Sequence, residues 1–218
     1  YANDMLAMNN DLKSDEPTYI KLGADIDMSS IEEWMPVNIT EPYKTIHFDG
    51  DGHTISNMYS NATDMPSLFG VIKGSVKNIN FENCEIEVGS SNAGAGLIAG
   101  KAIDAELTNI NAKGTVISSM SAATGSGKHL GGLVGISTNT KFENINLEVD
   151  ITDGNGDGVV TRMVGGMVGV VVPEMSDDDN VIKAFTDKNK NHSTFNNCHV
   201  TGSAAAYHYS GGFIGAIS

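Results

Sequence analysis

A short phrase that recurs five times constrains this chain more than any other feature. Each copy is an apolar pair flanked by glycine or another small residue, and most copies precede an alternating segment centred on asparagine. The copies occupy residues 67–70, 96–100, 132–135, 166–169 and 212–215, and their last glycines lie 30, 35, 34 and 46 residues apart. A period of about 20–50 residues is typical of a solenoid, in which each repeat stacks on the next. The phrase therefore predicts one continuous domain.

The alternating segments share one register. They span 76–86, 107–116, 142–151 and 195–204. Their alignment gives a column of Asn78, Asn109, Asn144 and Asn197, and beside it a column of Ile79, Ile110, Ile145 and Cys198. A slip of one residue would expose the whole apolar column, so that column has to face a core. Identical residues stack from coil to coil in a parallel β-helix, and we predict this all-β solenoid as the fold class.

Glycine density decides between kinds of solenoid. Each glycine costs about 1 kcal/mol relative to alanine inside a helix, so helices that carried these motifs would be unstable. In a β-helix the same glycines would permit sharp corners between faces. The asparagine column would form a ladder of stacked amides, which requires no ligand.

The chain reads as a single domain with three parts. Residues 1–18 are predicted to cap the first coil through a short helix near 3–12, because terminal elements of a solenoid must cover open strand edges. Residues 19–66 supply lead-in rungs, and residues 67–218 carry the repeats.

One repeat is irregular. The separation between motif glycine and column asparagine is 8 or 9 residues in three repeats but 28 in the fourth, which predicts an inserted loop near 173–193. Insertions of this kind often lie on a binding face. The chain begins with Tyr1, and its last motif ends three residues before the terminus. We therefore expect a fragment of a larger protein, with more rungs or a cover beyond the last motif.

Charge and composition exclude several partners. The net charge is −14 and the isoelectric point is near 4.6, which disfavours nucleic acid and anionic membranes. Arg162 is the single arginine, which disfavours bidentate recognition of phosphates and acidic sugars. No apolar run approaches the roughly 20 residues of a transmembrane helix. Cys84 and Cys198 would lie about 14 Å apart, beyond disulfide reach, and we predict two free, buried thiols.

Two acidic segments are candidate binding sites. Asp153, Asn155 and Asp157 resemble the start of a calcium loop, with oxygen ligands at alternate positions. The twelfth position holds Val164 where a bidentate glutamate belongs, so calcium competes there with a simple polar turn between rungs. Within the insertion, Asp177, Asp178 and Asp179 form a second cluster, either a binding surface or a solvated loop face.

Catalytic arrangements are harder to find. Asp49, Asp51 and His53 suggest acid–base chemistry, but Asp-Gly-Asp-Gly is also strong turn chemistry. The six histidines are scattered and do not show the spacing of a metal-binding motif, and no Ser-His-Asp or Cys-His arrangement is recognisable in the sequence. We therefore expect no enzymatic activity, no catalytic residues and no obligatory cofactor.

The order of these motifs resembles the GLUG-motif family of bacterial surface and secreted proteins. The resemblance covers about 19–218: the segments 22–28, 34–37 and 48–58 look like the lead-in of such proteins, and 67–70 with 76–79 follow in the expected order. It implies a right-handed β-helix on, or exported from, a bacterial cell. It supplies no catalytic residues.

We therefore expect a non-catalytic bacterial cell-surface or secreted module, an adhesin or a repetitive stalk, that binds host glycan or extracellular protein. Two alternatives stay open: a polysaccharide lyase or hydrolase on a β-helix, and an accessory module of a surface protease. Two carboxylates about 5–10 Å apart in a long groove would favour the enzyme.

Overall fold

A computed structural model of the protein describes residues 16–89, 94–118, 128–153, 162–172, 193–206 and 209–217, with only the backbone of Lys128, Asp153 and Arg162. The helix predicted near residues 3–12 lies outside the described residues. The same is true of nearly all of the predicted cap, 1–18, of which only the last three residues are described.

The described residues form β-strands joined by turns and contain no helix. The strands are β1 Thr18–Lys21, β2 Ile26–Asp27, β3 Thr45–Asp49, β4 Thr54–Ser56, β5 Tyr59–Ser60, β6 Phe69–Val88, β7 Gly94–Ala95, β8 Ala99–Ser118, β9 Lys128–Gly131, β10 Val134–Thr138, β11 Lys141–Asp153, β12 Arg162–Gly165, β13 Val168–Val171, β14 Thr194–Ala205, β15 Tyr209–Gly211 and β16 Ile214–Ile217. The prediction of an all-β protein is confirmed.

The strands stack in parallel, each against the strand that lies one repeat further along the chain. Twelve of them form one sheet, whose main path runs β1-β3-β6-β8-β10-β13-β16, and β7, β9, β12 and β15 form a second. The predicted apolar column is confirmed, since Ile110 lies opposite both Ile79 and Ile145, and Ile145 lies opposite Cys198. Parallel pairing at a constant repeat is the arrangement of a β-helix, with the chain making one coil per repeat.

The core runs along the inside of the coils. Ile79, Ile110 and Ile145 are fully buried, and the indole of Trp34 is buried with its N–H donated to the carbonyl of Leu68. In the last coil the same inward row is half-buried. Cys198 is therefore only half-buried, and its predicted burial was wrong, whereas Cys84 is buried as predicted. Both are free thiols.

Asparagine turns one corner of each coil. Asn78, Asn109, Asn144 and Asn197 all have left-handed backbone, with φ between 50° and 55°. Asparagine tolerates this conformation better than other residues with a Cβ. Each side chain donates to the one before it: Asn109 to Asn78 at 3.0 Å, Asn144 to Asn109 at 3.0 Å and Asn197 to Asn144 at 2.7 Å. The predicted asparagine ladder is confirmed, and it also shapes the backbone.

Replacing Asn109 separates the two roles of this ladder. Asn109→Ala should lower the free energy of unfolding by about 2 kcal/mol, because it removes two amide hydrogen bonds and because alanine tolerates left-handed backbone less well than asparagine does. Asn109→Gly loses the same bonds but relieves the backbone, so we expect about 1 kcal/mol. Urea unfolding measures both values. Equal losses would contradict a backbone role for this asparagine.

The motif glycines lie at corners of the chain, as predicted, but lack of space rather than left-handed backbone explains them. Among the glycines in the described part of the chain, positive φ occurs at Gly52, Gly74 and Gly202, none of which belongs to the repeated phrase. The phrase glycines sit where the chain bends from one sheet to the other and two backbones touch. A Cβ on Gly132 would overlap the backbone oxygen of Gly166, and one on Gly135 would overlap the backbone of Ala95. Glycine is needed at these positions because the neighbouring backbone leaves no room for a Cβ atom.

The insertion leaves and re-enters the coil at one corner. Val172 N–H donates to the carbonyl of Ser137 at 2.9 Å, and the Ser193 hydroxyl lies 2.6 Å from that of Ser137. Residues 173–192 themselves are outside the described residues. The chain therefore resumes the regular coil beside the point where it departed, as an insertion requires.

A polar groove across five coils

A groove of about 1540 Å³ runs over the outer face of the coils. Its lining begins at Thr54, crosses β6, β8 and β11, and ends at Gly202 in β14, so it spans five coils. At about 4.8 Å between neighbouring strands this length is about 19 Å. The groove follows the axis of the stack.

The outward side chains of the groove form three rows. Strand alternation produces them, because the residues between the rows point into the core. The first row is Asn80, Asn111, Asn146 and His199; the second is Glu82, Lys113, Glu148 and Thr201; the third is Tyr59, Glu85, Thr115 and Asp150.

The first row is a second asparagine ladder. Asn111 donates to Asn80 at 2.9 Å and Asn146 donates to Asn111 at 3.1 Å, while Asn80 donates to the backbone carbonyl of Gly52 at 2.9 Å. Sequence analysis missed this ladder. The signal was present, since the same residue recurs two positions after the first column.

The groove is acidic. Four carboxylates line it, Glu82, Glu85, Glu148 and Asp150, together with one lysine, Lys113. The lysine Nζ lies 2.6 Å from Glu148 Oε1, and this hydrogen-bonded ion pair raises the pKa of Lys113. Asp150 accepts hydrogen bonds from the backbone and hydroxyl of Ser203.

The floor of the groove contains the thiol of Cys84. Burial raises the pKa of this thiol to about 11, so at neutral pH it is protonated. A thiolate is the reactive form of cysteine, and Cys84 therefore lacks the character of a nucleophile.

The candidate acid–base residues Asp49, Asp51 and His53 do not meet in one site. Asp49 accepts from Asn78 at 3.1 Å and pairs with Lys77 at 3.2 Å; although partial burial opposes it, hydrogen bonds from the Asp51 backbone and Asn78 lower its pKa. Asp51 pairs with Lys21 at 3.0 Å, and His53 contacts Asp25 at 3.0 Å. Each residue has its own partner, and none lines the groove.

The predicted calcium and binding clusters are largely outside the described residues. This applies to Asn155, Asp157, Asp177, Asp178 and Asp179, and to the side chain of Asp153. Within the described ranges, no group of three or more His, Cys, Asp or Glu side chains is placed to hold a metal ion. Nor do those ranges contain a helix that could cross a membrane.

Parallel strands stacked coil upon coil define a fold class, the parallel β-helices. The chain belongs to the family described as "Putative pectate lyase-like adhesive domain", whose model matches residues 1–125.

Two individual proteins are also similar to this chain. Halomucin of Haloquadratum walsbyi is 32% identical over 147 residues; the match covers 61% of this chain, which spans only 2% of Halomucin. A crystal structure of "a putative immunoglobulin A1 protease from Bacteroides ovatus" superposes with a TM-score of 0.53 over 100% of this chain and 82% of that one. At 20% identity this second likeness concerns the fold alone.

Proposed function

We propose that this chain is a non-catalytic adhesive module of a bacterial cell-surface or secreted protein, which binds an extended extracellular polymer along the groove. The adhesive description of its family and the likeness to part of Halomucin support a surface role. We also propose that the β-helix is right-handed, that its repeats are GLUG motifs and that its natural partner is a host glycan or extracellular protein.

The observation that carries the proposal is the continuity of the groove. It crosses five coils without interruption, and its outward rows consist of amides, carboxylates, hydroxyls, one ammonium and the imidazole of His199. A binding site of this shape suits a linear polymeric ligand that lies along the axis of the stack and contacts a similar set of groups on each coil. The 173–193 insertion stays a second candidate surface.

A polysaccharide hydrolase is the alternative that a specific observation favours. Carboxylates occur in two rows of the groove, and paired carboxylates are the requirement of glycoside hydrolysis. Glu82, Glu85, Glu148 and Asp150 are all exposed, however, and so lack the burial that creates a general acid in glycosidases. Incubation with polysaccharides separates the two functions: new reducing ends or unsaturated products would establish an enzyme.

Blocking the groove tests the proposed function. Thr115→Trp places a large ring in the central coil, and we expect it to abolish binding to whichever glycan or matrix protein the wild type selects from an immobilised panel. Thr108→Trp is the matched control, since Thr108 is also half-buried on β8 but lies outside the groove. It should bind normally.

A third variant distinguishes the groove from the insertion. Residues 173–192 are replaced by a single asparagine, the counterpart of Asn139 in the preceding coil, because Val171 lies opposite Ser137 and Thr194 lies opposite Lys141. Retained binding supports the groove. Lost binding in this variant, with normal binding by Thr115→Trp, would place the site on the insertion and refute our proposal.

A further inference from the structure

We propose that the groove binds a polycationic glycan, a chain of amino sugars with protonated amines, in preference to neutral or acidic polysaccharides. This inference rests on the proposed function, because it assigns a ligand class to the same groove. It depends on three observations: the charge of the groove lining, the pairing of the strands beneath it and the positions of its carboxylates along the axis.

The charge of the lining selects the sign of the ligand. The groove contains four carboxylates, the imidazole of His199 and one ammonium, and that ammonium, Lys113, is already paired with Glu148. The protein as a whole carries −14. An acidic polysaccharide would meet like charge on every second coil. A neutral chain would cover these carboxylates without compensating them, which costs free energy.

The pairing of the strands favours a glycan over a basic peptide. A peptide usually adds to an exposed sheet edge, where free backbone groups bind it. Here β6 lies between β4 and β8, β8 between β6 and β11, and β11 between β8 and β14. The middle of the groove therefore has no free strand edge, and recognition there must use side chains.

The carboxylates of the groove lie in two pairs, on two separate coils. Glu82 and Glu85 lie on one coil, and Glu148 and Asp150 lie two coils further, about 10 Å along the axis. The asparagine ladder runs beside them and contributes Asn111 on the coil between the two pairs. A polymer with amines and hydroxyls along its length can contact the carboxylates and the asparagine ladder at the same time.

A pair of ligands that differ in whether their amino groups are free or acetylated tests the inference. Glucosamine oligomers and N-acetylglucosamine oligomers of equal length share one backbone, and only the first are cationic at mildly acidic pH. We expect the glucosamine oligomer to bind about tenfold more tightly by calorimetry, since a few exposed ion pairs sum to that factor. Added salt should reduce the difference, because it screens exposed charges. Oligogalacturonate should not bind.

Matched charge variants locate the effect. The double variant Glu82→Gln with Glu85→Gln should lose most of the tenfold preference, whereas Glu32→Gln with Glu33→Gln removes two exposed carboxylates outside the groove and should keep it. Lys113→Gln should strengthen binding of the glucosamine oligomer. Circular dichroism confirms that each variant is folded.

The outcomes separate this inference from the proposed function. Equal binding of the two oligomers, tighter binding of oligogalacturonate, or equal effects of the two double variants would overturn the cationic ligand, while the groove would remain the site if Thr115→Trp still abolished binding. Binding that Thr115→Trp leaves intact would overturn both.

Discussion

Gly132→Ala should destabilise the protein by about 3 kcal/mol, among the largest effects of any single methyl group in this fold. The added Cβ would overlap the backbone oxygen of Gly166 in the next coil and would lie 2.6 Å from Cγ1 of Val149. The neighbouring coil cannot retreat easily, because the N–H of Leu133 is hydrogen-bonded to the carbonyl of Met167 at 3.0 Å. Urea unfolding of the variant measures the loss.

The same substitution at Gly212 is the matched control. Gly212 occupies the same position of the repeated phrase, yet a Cβ there would meet nothing within 4 Å, and its φ is not left-handed. Gly212→Ala should therefore change stability by less than about 1 kcal/mol and can raise it slightly, since alanine restricts the unfolded chain. Similar losses at both positions would show that backbone conformation, rather than space, selects these glycines.

Acid should weaken the protein through His129. This side chain is 5% exposed, and its Nδ1 has no hydrogen-bond partner within the described part of the chain. Burial, assisted by the charge of Lys101, lowers its pKa from 6.5 to about 4. Below about pH 6.5 the unfolded chain takes up a proton that the folded chain refuses. Titration of His129 should lower the free energy of unfolding by about 3 kcal/mol between pH 6.5 and 4. Above pH 6.5 it should make no contribution to the pH dependence of stability.

Replacing the imidazole isolates this contribution. His129→Leu should be at least as stable as the wild type near neutral pH, and the difference between the two should grow as the pH falls towards 4. Met163→Leu, directly opposite His129 in the strand register, alters packing without removing a titratable group. Its effect should be the same at every pH. A constant difference between His129→Leu and the wild type would contradict the buried neutral histidine.

The fold was predictable because stacking leaves a direct trace in the sequence. Ile110 lies opposite Ile79 and Ile145, and Asn109 is hydrogen-bonded to Asn78 and Asn144, as the aligned repeats predicted, since a two-residue period fixes which side chains face inward. The role of the glycines was not predictable in the same way. A recurring set of small residues is equally compatible with positive φ and with close backbone approach, and only the positions of neighbouring coils distinguish these two explanations.

The groove lay beyond sequence analysis for a different reason. Glu82 and Glu148 belong to one outward row, but nothing in the order of residues indicates whether that row lies on a convex or a concave part of the surface. Curvature depends on corners such as the extra residue Asn83, which has φ of 52° and interrupts the register between β6 and β8. The binding candidates that sequence analysis did select were the acidic loops, because charge clusters are visible without geometry.

The asparagine ladders give the stack a direction. Every amide N–H in the first ladder points towards the N-terminal coil, so the amide dipoles align and add, much as peptide dipoles do in a helix. The positive end of that ladder meets the carboxylate of Asp49, and a shorter ladder through Asn83 and Asn57 ends in the same way at Asp27, whose pKa Asn57 lowers. A carboxylate only accepts, so it closes the series. Coils can therefore be added on the C-terminal side of Asp49 without reversing any hydrogen bond. An asparagine placed in a coil on the N-terminal side could not continue the ladder, because the Asp49 carboxylate has no N–H to donate to its side-chain oxygen.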